Sequence, residues 1–72
     1  MSRVAAIGRA TELAGYALAG VEVVDARDEA AARSAWEQLP PDVALVLLTA
    51  EARRLLPDAL VPRWRLWAVL PE

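Results

Sequence analysis

Four short apolar runs, separated by longer segments, constrain the fold of this chain more than any other feature. The runs lie at residues 4–7, 21–24, 43–48 and 66–70, and the third is apolar throughout with no alternation. A run of that kind is typical of a central strand buried on both faces. Strands that alternate with short helices favour a parallel sheet with right-handed crossovers. The sequence therefore predicts a βαβαβαβ fold of the α/β class, as one domain spanning residues 1–72.

Three helices are predicted from apolar residues that recur at helical spacing. They cover residues 10–19, residues 28–39, and a segment that follows Thr49, which is a good N-cap residue. The predicted inward-facing residues are Leu13, Ala14, Ala17 and Leu18 in the first helix; Ala32, Trp36 and Leu39 in the second; and Ala52, Leu55, Leu56, Ala59 and Leu60 in the third, where Pro57 breaks or kinks the helix.

The predicted strand order is 2-1-3-4, a shortened flavodoxin-like, Rossmann-like arrangement in three layers. In that order the first helix lies on one face of the sheet and the other two helices on the opposite face. Strands three and four then lack a cover on the first helix's side, although both read as apolar on both faces. We therefore expect a partner to cover this surface. The predicted interface consists of Val46, Trp67 and Val69, with Trp64 and Arg65 at its rim, because Trp and Arg are enriched at binding hot spots.

The sequence contains three glycines, and each is predicted to have a structural role. Gly8 ends the first strand. Gly15 lies inside the first helix, where glycine costs about 0.5–1 kcal/mol relative to alanine, so a close approach of another backbone is expected there. Gly20 is expected to end that helix in a left-handed conformation.

The composition excludes several kinds of active site. The 72 residues include no Cys, His or Lys, so the chain lacks thiolate nucleophiles, imidazole bases and the Walker lysine. A single glycine after the first strand does not make a dinucleotide motif, and the scattered Arg residues form no stripe for nucleic acid. Asp25 and Asp28 are read as helix caps in preference to magnesium ligands. We predict no catalytic residues, no metal site and no cofactor.

The segment GYALAGV at residues 15–21, with Ile7 and Gly8 before it, resembles the F subunits of the V-type and archaeal-type rotary ATPases. Further points of similarity are the apolar run that leads to Thr49 and Glu51 and the final pair Leu70-Pro71. The likeness extends over nearly the whole chain, but only the GYALAGV segment is fairly specific. Two features depart from the family: Arg9 stands where an acid is usual, and members continue past the aliphatic-Pro pair into a C-terminal helix.

The resemblance implies a non-catalytic component of the central stalk that docks on a D-like, coiled-coil stalk subunit and helps to couple rotation to ion transport. It implies a cytoplasmic protein at the periphery of a membrane, without insertion of its own. Without a C-terminal helix, docking would remain and regulatory insertion would be lost. Two alternatives stay open. One is a small anion- or nucleotide-binding module, or a degenerate receiver-like domain, with its ligand over Gly8, Arg9 and Thr49. The other is a homodimer of the isolated chain.

Overall fold

The apolar runs form the strands of one parallel sheet, and the segments between them form helices. The computed structural model describes residues 3–57 and 66–71. Within those residues the elements are β1 (Arg3–Gly8), α1 (Ala10–Leu18), β2 (Glu22–Asp25), α2 (Glu29–Glu37), β3 (Val43–Leu48), α3 (Ala50–Leu55) and β4 (Leu66–Val69). The predicted α/β fold is confirmed. Each element lies within two residues of its predicted bounds, except α3.

The strand order is β2-β1-β3-β4, as predicted, and every neighbouring pair of strands is parallel. Registered residues of neighbouring strands point to the same face of a sheet, and successive residues alternate between faces. One face therefore carries Val24, Ile7, Leu48 and Val69, which are registered in that order across the four strands. The other face carries Val23, Ala6, Leu47 and Ala68 in the same way.

The face that carries Ile7 is covered by α2 and α3 and holds the main core. Trp36 of α2 is only 6% exposed, so its predicted position in the core is confirmed. Its buried companions are Ala5, Ile7, Ala26, Ala32, Ala35, Val43, Val46, Leu48, Ala52 and Leu56. The half-buried Leu39 packs against this cluster, as its place on the predicted stripe requires.

The opposite face is covered by α1, which packs against β1 and β2. Leu13 is the buried residue of this helix, and Ala6 is fully buried on the face below. The prediction that Ala14, Ala17 and Leu18 also face inwards is wrong, since all three are exposed and Leu18 is 91% exposed. The helix lies over one side of the sheet, so a single side chain reaches the interior.

Gly20 ends α1 as predicted, with a left-handed φ of +92°. The Gly20 N–H donates to the carbonyl of Ala17 at 3.1 Å, and the Val21 N–H donates to the carbonyl of Tyr16 at 3.1 Å. These two bonds form a Schellman motif, which satisfies carbonyls that the last turn of a helix leaves unpaired. The chain then returns directly into β2.

The third helix ends at Leu55, so the structure shows a break, one of the two outcomes that the sequence predicts at Pro57. Leu56 is extended, with φ −91° and ψ 122°, because the ring of Pro57 disfavours helical backbone at the residue before it. Leu56 is still buried against the main core. Ala59 and Leu60, the last two residues of the predicted stripe, lie outside the described residues.

Candidate functional site

A cleft of about 430 Å³ opens at the carboxyl ends of the strands. It lies next to the point between β1 and β3 where the strand order reverses, which is where doubly wound folds usually bind ligands. Its walls come from α1, from the start of α3 and from the residues after β4. The lining residues are Glu12, Leu13, Tyr16, Thr49, Ala50, Glu51, Arg54, Leu70 and Pro71.

Two groups that could bind an anion at this edge, the first N–H of α1 and the guanidinium of Arg9, are bonded to carboxylates of the chain. The Asp25 Oδ1 atom accepts a hydrogen bond from the backbone N–H of Ala10 at 2.8 Å, so a carboxylate already lies at the positive end of α1. Arg9 Nε donates to Glu51 Oε1 at 2.9 Å. The hydrogen bond with Glu51 raises the pKa of Arg9 above its usual value. This arrangement disfavours the anion-binding alternative.

Thr49 packs against Gly8 and caps α3. Its Oγ1 atom accepts a hydrogen bond from the backbone N–H of Ala52 at 3.0 Å, which confirms the predicted N-cap. A Cβ atom added at Gly8 would overlap the Thr49 side chain, with Oγ1 only 2.7 Å away. Gly8 therefore leaves the space that the capping side chain occupies.

Asp25 and Asp28 act as helix caps, as predicted, but for two different helices. Asp28 Oδ1 accepts from the N–H of Ala31 at 2.8 Å and caps α2, whereas Asp25 caps the earlier helix α1. In residues 3–57 and 66–71, no group of three or more Asp or Glu residues is placed to hold a metal ion.

Gly15 does not have the role that the sequence predicts for it. A Cβ atom added at Gly15 would meet nothing within 4 Å. Among the described residues no other backbone approaches Gly15 closely, so the reason assigned to this glycine is wrong for that part of the chain.

The α1 side of β3 and β4 carries an apolar surface that α1 does not cover. We call it the open face and define it as Leu45, Leu47, Leu66 and Ala68. Register places Leu45 beside Leu66 and Leu47 beside Ala68. Leu66 is 73% exposed, Ala68 is exposed, and the two β3 residues are half-buried. The open face is therefore a candidate interaction surface.

The predicted interface residues Val46, Trp67 and Val69 do not belong to the open face. They lie on the α2–α3 side of the sheet, where register aligns Val46 with Trp67. Val46 is wholly buried in the core, so its side chain cannot reach a partner, and its assignment as a contact is wrong.

Trp67 and Val69 are partly exposed beside α3, by 37% and 42%. The guanidinium of Arg53, on α3, lies 5.1 Å from the centre of the Trp67 ring, within the range of a cation–π contact. Both residues therefore remain available as rim contacts. The other two predicted rim residues, Trp64 and Arg65, lie outside the described residues.

The open-face residues were missed because the sequence prediction did not apply the two-residue period of a strand. Alternate residues of β4 point to opposite faces. Placing Trp67 and Val69 against α3 therefore sends Leu66 and Ala68 to the other side. The same alternation separates Leu45 and Leu47 from the buried Val46. This alternation is visible in the sequence, and it identifies the open-face residues once the face that α3 covers is known.

No helix in residues 3–57 and 66–71 has the length and apolar character needed to cross a membrane.

The fold is similar to the crystal structure of the F subunit of the V-type ATP synthase from Archaeoglobus fulgidus. The TM-score is 0.72 at 21% sequence identity, and the match covers 93% of this chain and 96% of that chain. At this identity the likeness shows the fold. No family model and no curated protein matches the sequence.

Proposed function

We propose that this chain is a central-stalk component of a rotary ATPase of the V-type or archaeal type. In this proposal it docks on a D-like, coiled-coil stalk subunit and helps to couple rotation to ion transport. It works in the cytoplasm, at the periphery of the membrane, as part of the complex. The observation that carries the proposal is the joint occurrence of an F-subunit fold and an uncovered apolar face.

The open face provides the docking surface in this account. Leu66, which is 73% exposed, and the exposed Ala68 form the edge-strand half of the contact, and the half-buried Leu45 and Leu47 form the other half. Burying apolar area of this kind contributes about 25 cal/mol per Å². Trp67 and Val69 lie on the opposite side of the same edge strand, so as rim contacts, with the predicted residues Trp64 and Arg65, they require a partner that also reaches around the β4 edge.

The proposed role is non-catalytic. Asp25, Thr49 and Arg9 each serve a cap or an ion pair at the carboxyl edge, where an enzyme of this fold class would hold its substrate. These bonds stabilise the edge as part of a rigid docking module.

Light scattering of the purified chain mixed with the coiled-coil stalk subunit from the same genome tests this proposal. The wild-type chain is expected to form a one-to-one complex. Leu66→Glu places a charge on the open face and should abolish the complex. Leu18→Glu is the matched control, because Leu18 is 91% exposed on α1, and it should bind like the wild type.

Both variants should retain the circular dichroism and the melting behaviour of a folded chain, since neither leucine is buried. A mixture in which the wild-type chain and the stalk subunit stay separate would refute the stalk assignment. Binding of Leu66→Glu with wild-type affinity would refute the docking surface. Trp67→Ala, at the rim, should weaken association more than it lowers the melting temperature.

A further inference from the structure

The two edges of the sheet differ in charge. The β2 edge carries Glu22, which is 3.3 Å from the guanidinium of Arg3, and Asp25, which is 3.3 Å from that of Arg27. The β4 edge reads Leu66-Trp67-Ala68-Val69, with no charged residue, no proline and no glycine. All four of its residues are exposed. Sheets usually protect their edges with charges, prolines, bulges or very short strands, and β4 has only the last of these, being four residues long.

In residues 3–57 and 66–71, no strand pairs with the outer side of β4. An edge strand presents a row of backbone N–H and C=O groups on that side, which is a template for another strand. A strand that pairs there would be extended, and apolar side chains on it would match the apolar residues that β4 presents to both faces.

We propose that a second copy of this chain pairs with β4 in antiparallel orientation and extends the sheet to eight strands. Pairing of two β2 edges would bring acidic strands together. Pairing of β2 with β4 would place carboxylates against an apolar edge, and this head-to-tail contact would continue into a filament. Pairing of β4 with β4 avoids both problems, because a two-fold axis normal to the sheet closes the assembly at two copies.

Side-chain alternation restricts the register of this pair. Opposite residues of antiparallel strands share a face, so each residue must meet one that already points to its own side. A two-fold axis at Ala68 meets that condition. It places Trp67 of each copy opposite Val69 of the other copy, so the pair occurs twice. Aromatic–β-branched pairs are among the favourable cross-strand pairs. An axis at Trp67 would also meet the condition, but it would set the two Trp67 rings directly against each other.

The contact formed by a four-residue strand is small beside the roughly 800 Å² per partner of a stable interface. We therefore expect weak association, which covalent trapping detects better than a mass measurement at low concentration. The chain contains no cysteine, so a single engineered thiol can report on one position without interference.

The test is oxidative crosslinking of the isolated Ala68→Cys chain. Residues opposite each other at the axis have Cα atoms about 4.5–5.5 Å apart, within the usual range for a disulfide. Leu66→Cys is the first control, because its two copies would lie about 13–14 Å apart along the strands. Leu18→Cys, on α1, is the second control and gives the rate of crosslinking by random collision. Ala68→Cys should crosslink at least tenfold faster than both controls.

Equal rates for the three variants, or faster crosslinking of Leu66→Cys, would overturn the proposal. Circular dichroism of each variant shows that the compared chains are folded. As a second measurement, light scattering at rising concentration should show an increasing mass for the wild-type chain and a constant monomer mass for Ala68→Lys. An unchanged concentration dependence in Ala68→Lys would also overturn it. Neither experiment contains the stalk subunit, so both outcomes are independent of the proposed function.

Discussion

Replacing Gly15 with alanine should stabilise the isolated chain. Gly15 lies inside α1, its φ is not positive, and an added Cβ would meet no described atom within 4 Å beyond its own helical turn. Alanine therefore gains helix propensity without a steric cost, which corresponds to about 0.5–1 kcal/mol in the free energy of unfolding. For a domain of this size that is roughly 2–8 °C in the melting temperature.

Urea unfolding followed by circular dichroism measures this change, and the other two glycines supply controls of opposite sign. Gly8→Ala should destabilise the chain by about 1–3 kcal/mol, since its Cβ would overlap Thr49. Gly20→Ala should cost about 1–2 kcal/mol, because alanine is strained at a φ of +92°. Destabilisation by Gly15→Ala would refute the reasoning, since it would mean that a close contact occupies that flank of α1.

Three further predictions concern the core, a helix cap and an ion pair. Trp36→Ala should lower the free energy of unfolding by about 3–5 kcal/mol, which is a large part of the total stability of a small domain. Near-ultraviolet circular dichroism should therefore show that the variant is largely unfolded. A cooperative melt near the wild-type temperature would contradict the assignment of Trp36 to the core. Thr49→Ala should lower the free energy of unfolding by about 1 kcal/mol, because it removes the α3 cap. In a double-mutant cycle, Gly8→Ala should destabilise the Thr49→Ala chain less than it destabilises the wild type. Strict additivity would show that the two positions do not touch. The hydrogen bond from Arg3 is the chief cause that lowers the pKa of Asp42. The contribution of this interaction to the free energy of unfolding is therefore complete above the unfolded pKa of about 3.9, and it is lost as the pH falls through the lower folded pKa. Asp42→Asn should therefore lower the urea midpoint at neutral pH, and this difference should shrink as the pH falls below about 3.9; a difference that stays equal across that range would contradict the reasoning.

The fold could be predicted because its determinants are local and agree with one another. The unbroken apolar run that forms β3 requires cover on both faces, which favours a central strand and hence the observed order. Thr49, Asp28 and Gly20 stand where caps and stops are needed, and each has that role. Helix caps and stops of this kind depend on only a few adjacent residues, so the sequence predicts them directly.

The predictions that failed depend on how elements are placed over the sheet. Leu18 shares a helical face with Ala14, but α1 lies over β1 and β2, so the helix buries Leu13 alone. Periodicity shows that a stripe exists and cannot show how much sheet lies under it. The break at Pro57 is different, since it was one of the two outcomes expected there, and it is observed because the proline disfavours helical backbone at Leu56.

The candidate surface was predicted in kind but not in its residues. The expected lack of cover over β3 and β4 is present on the α1 side, as Leu66 shows by its 73% exposure. Choosing Val46 and Trp67 for that surface ignored the strand period, which places both on the opposite face. The hydrogen bond from Ala10 to Asp25 spans 15 residues, and the ion pair of Arg9 with Glu51 spans 42. Sequence spacing does not reveal partners at such separations.

The most direct test of the central claim is a methyl cross-saturation measurement by nuclear magnetic resonance on the labelled chain bound to the unlabelled stalk subunit. Docking through the open face predicts strong saturation transfer to the methyl groups of Leu66, Leu45 and Leu47, and little transfer to Leu39 beside α2. Strong transfer confined to the α2 side, with the methyl groups of the open face unaffected, would contradict it.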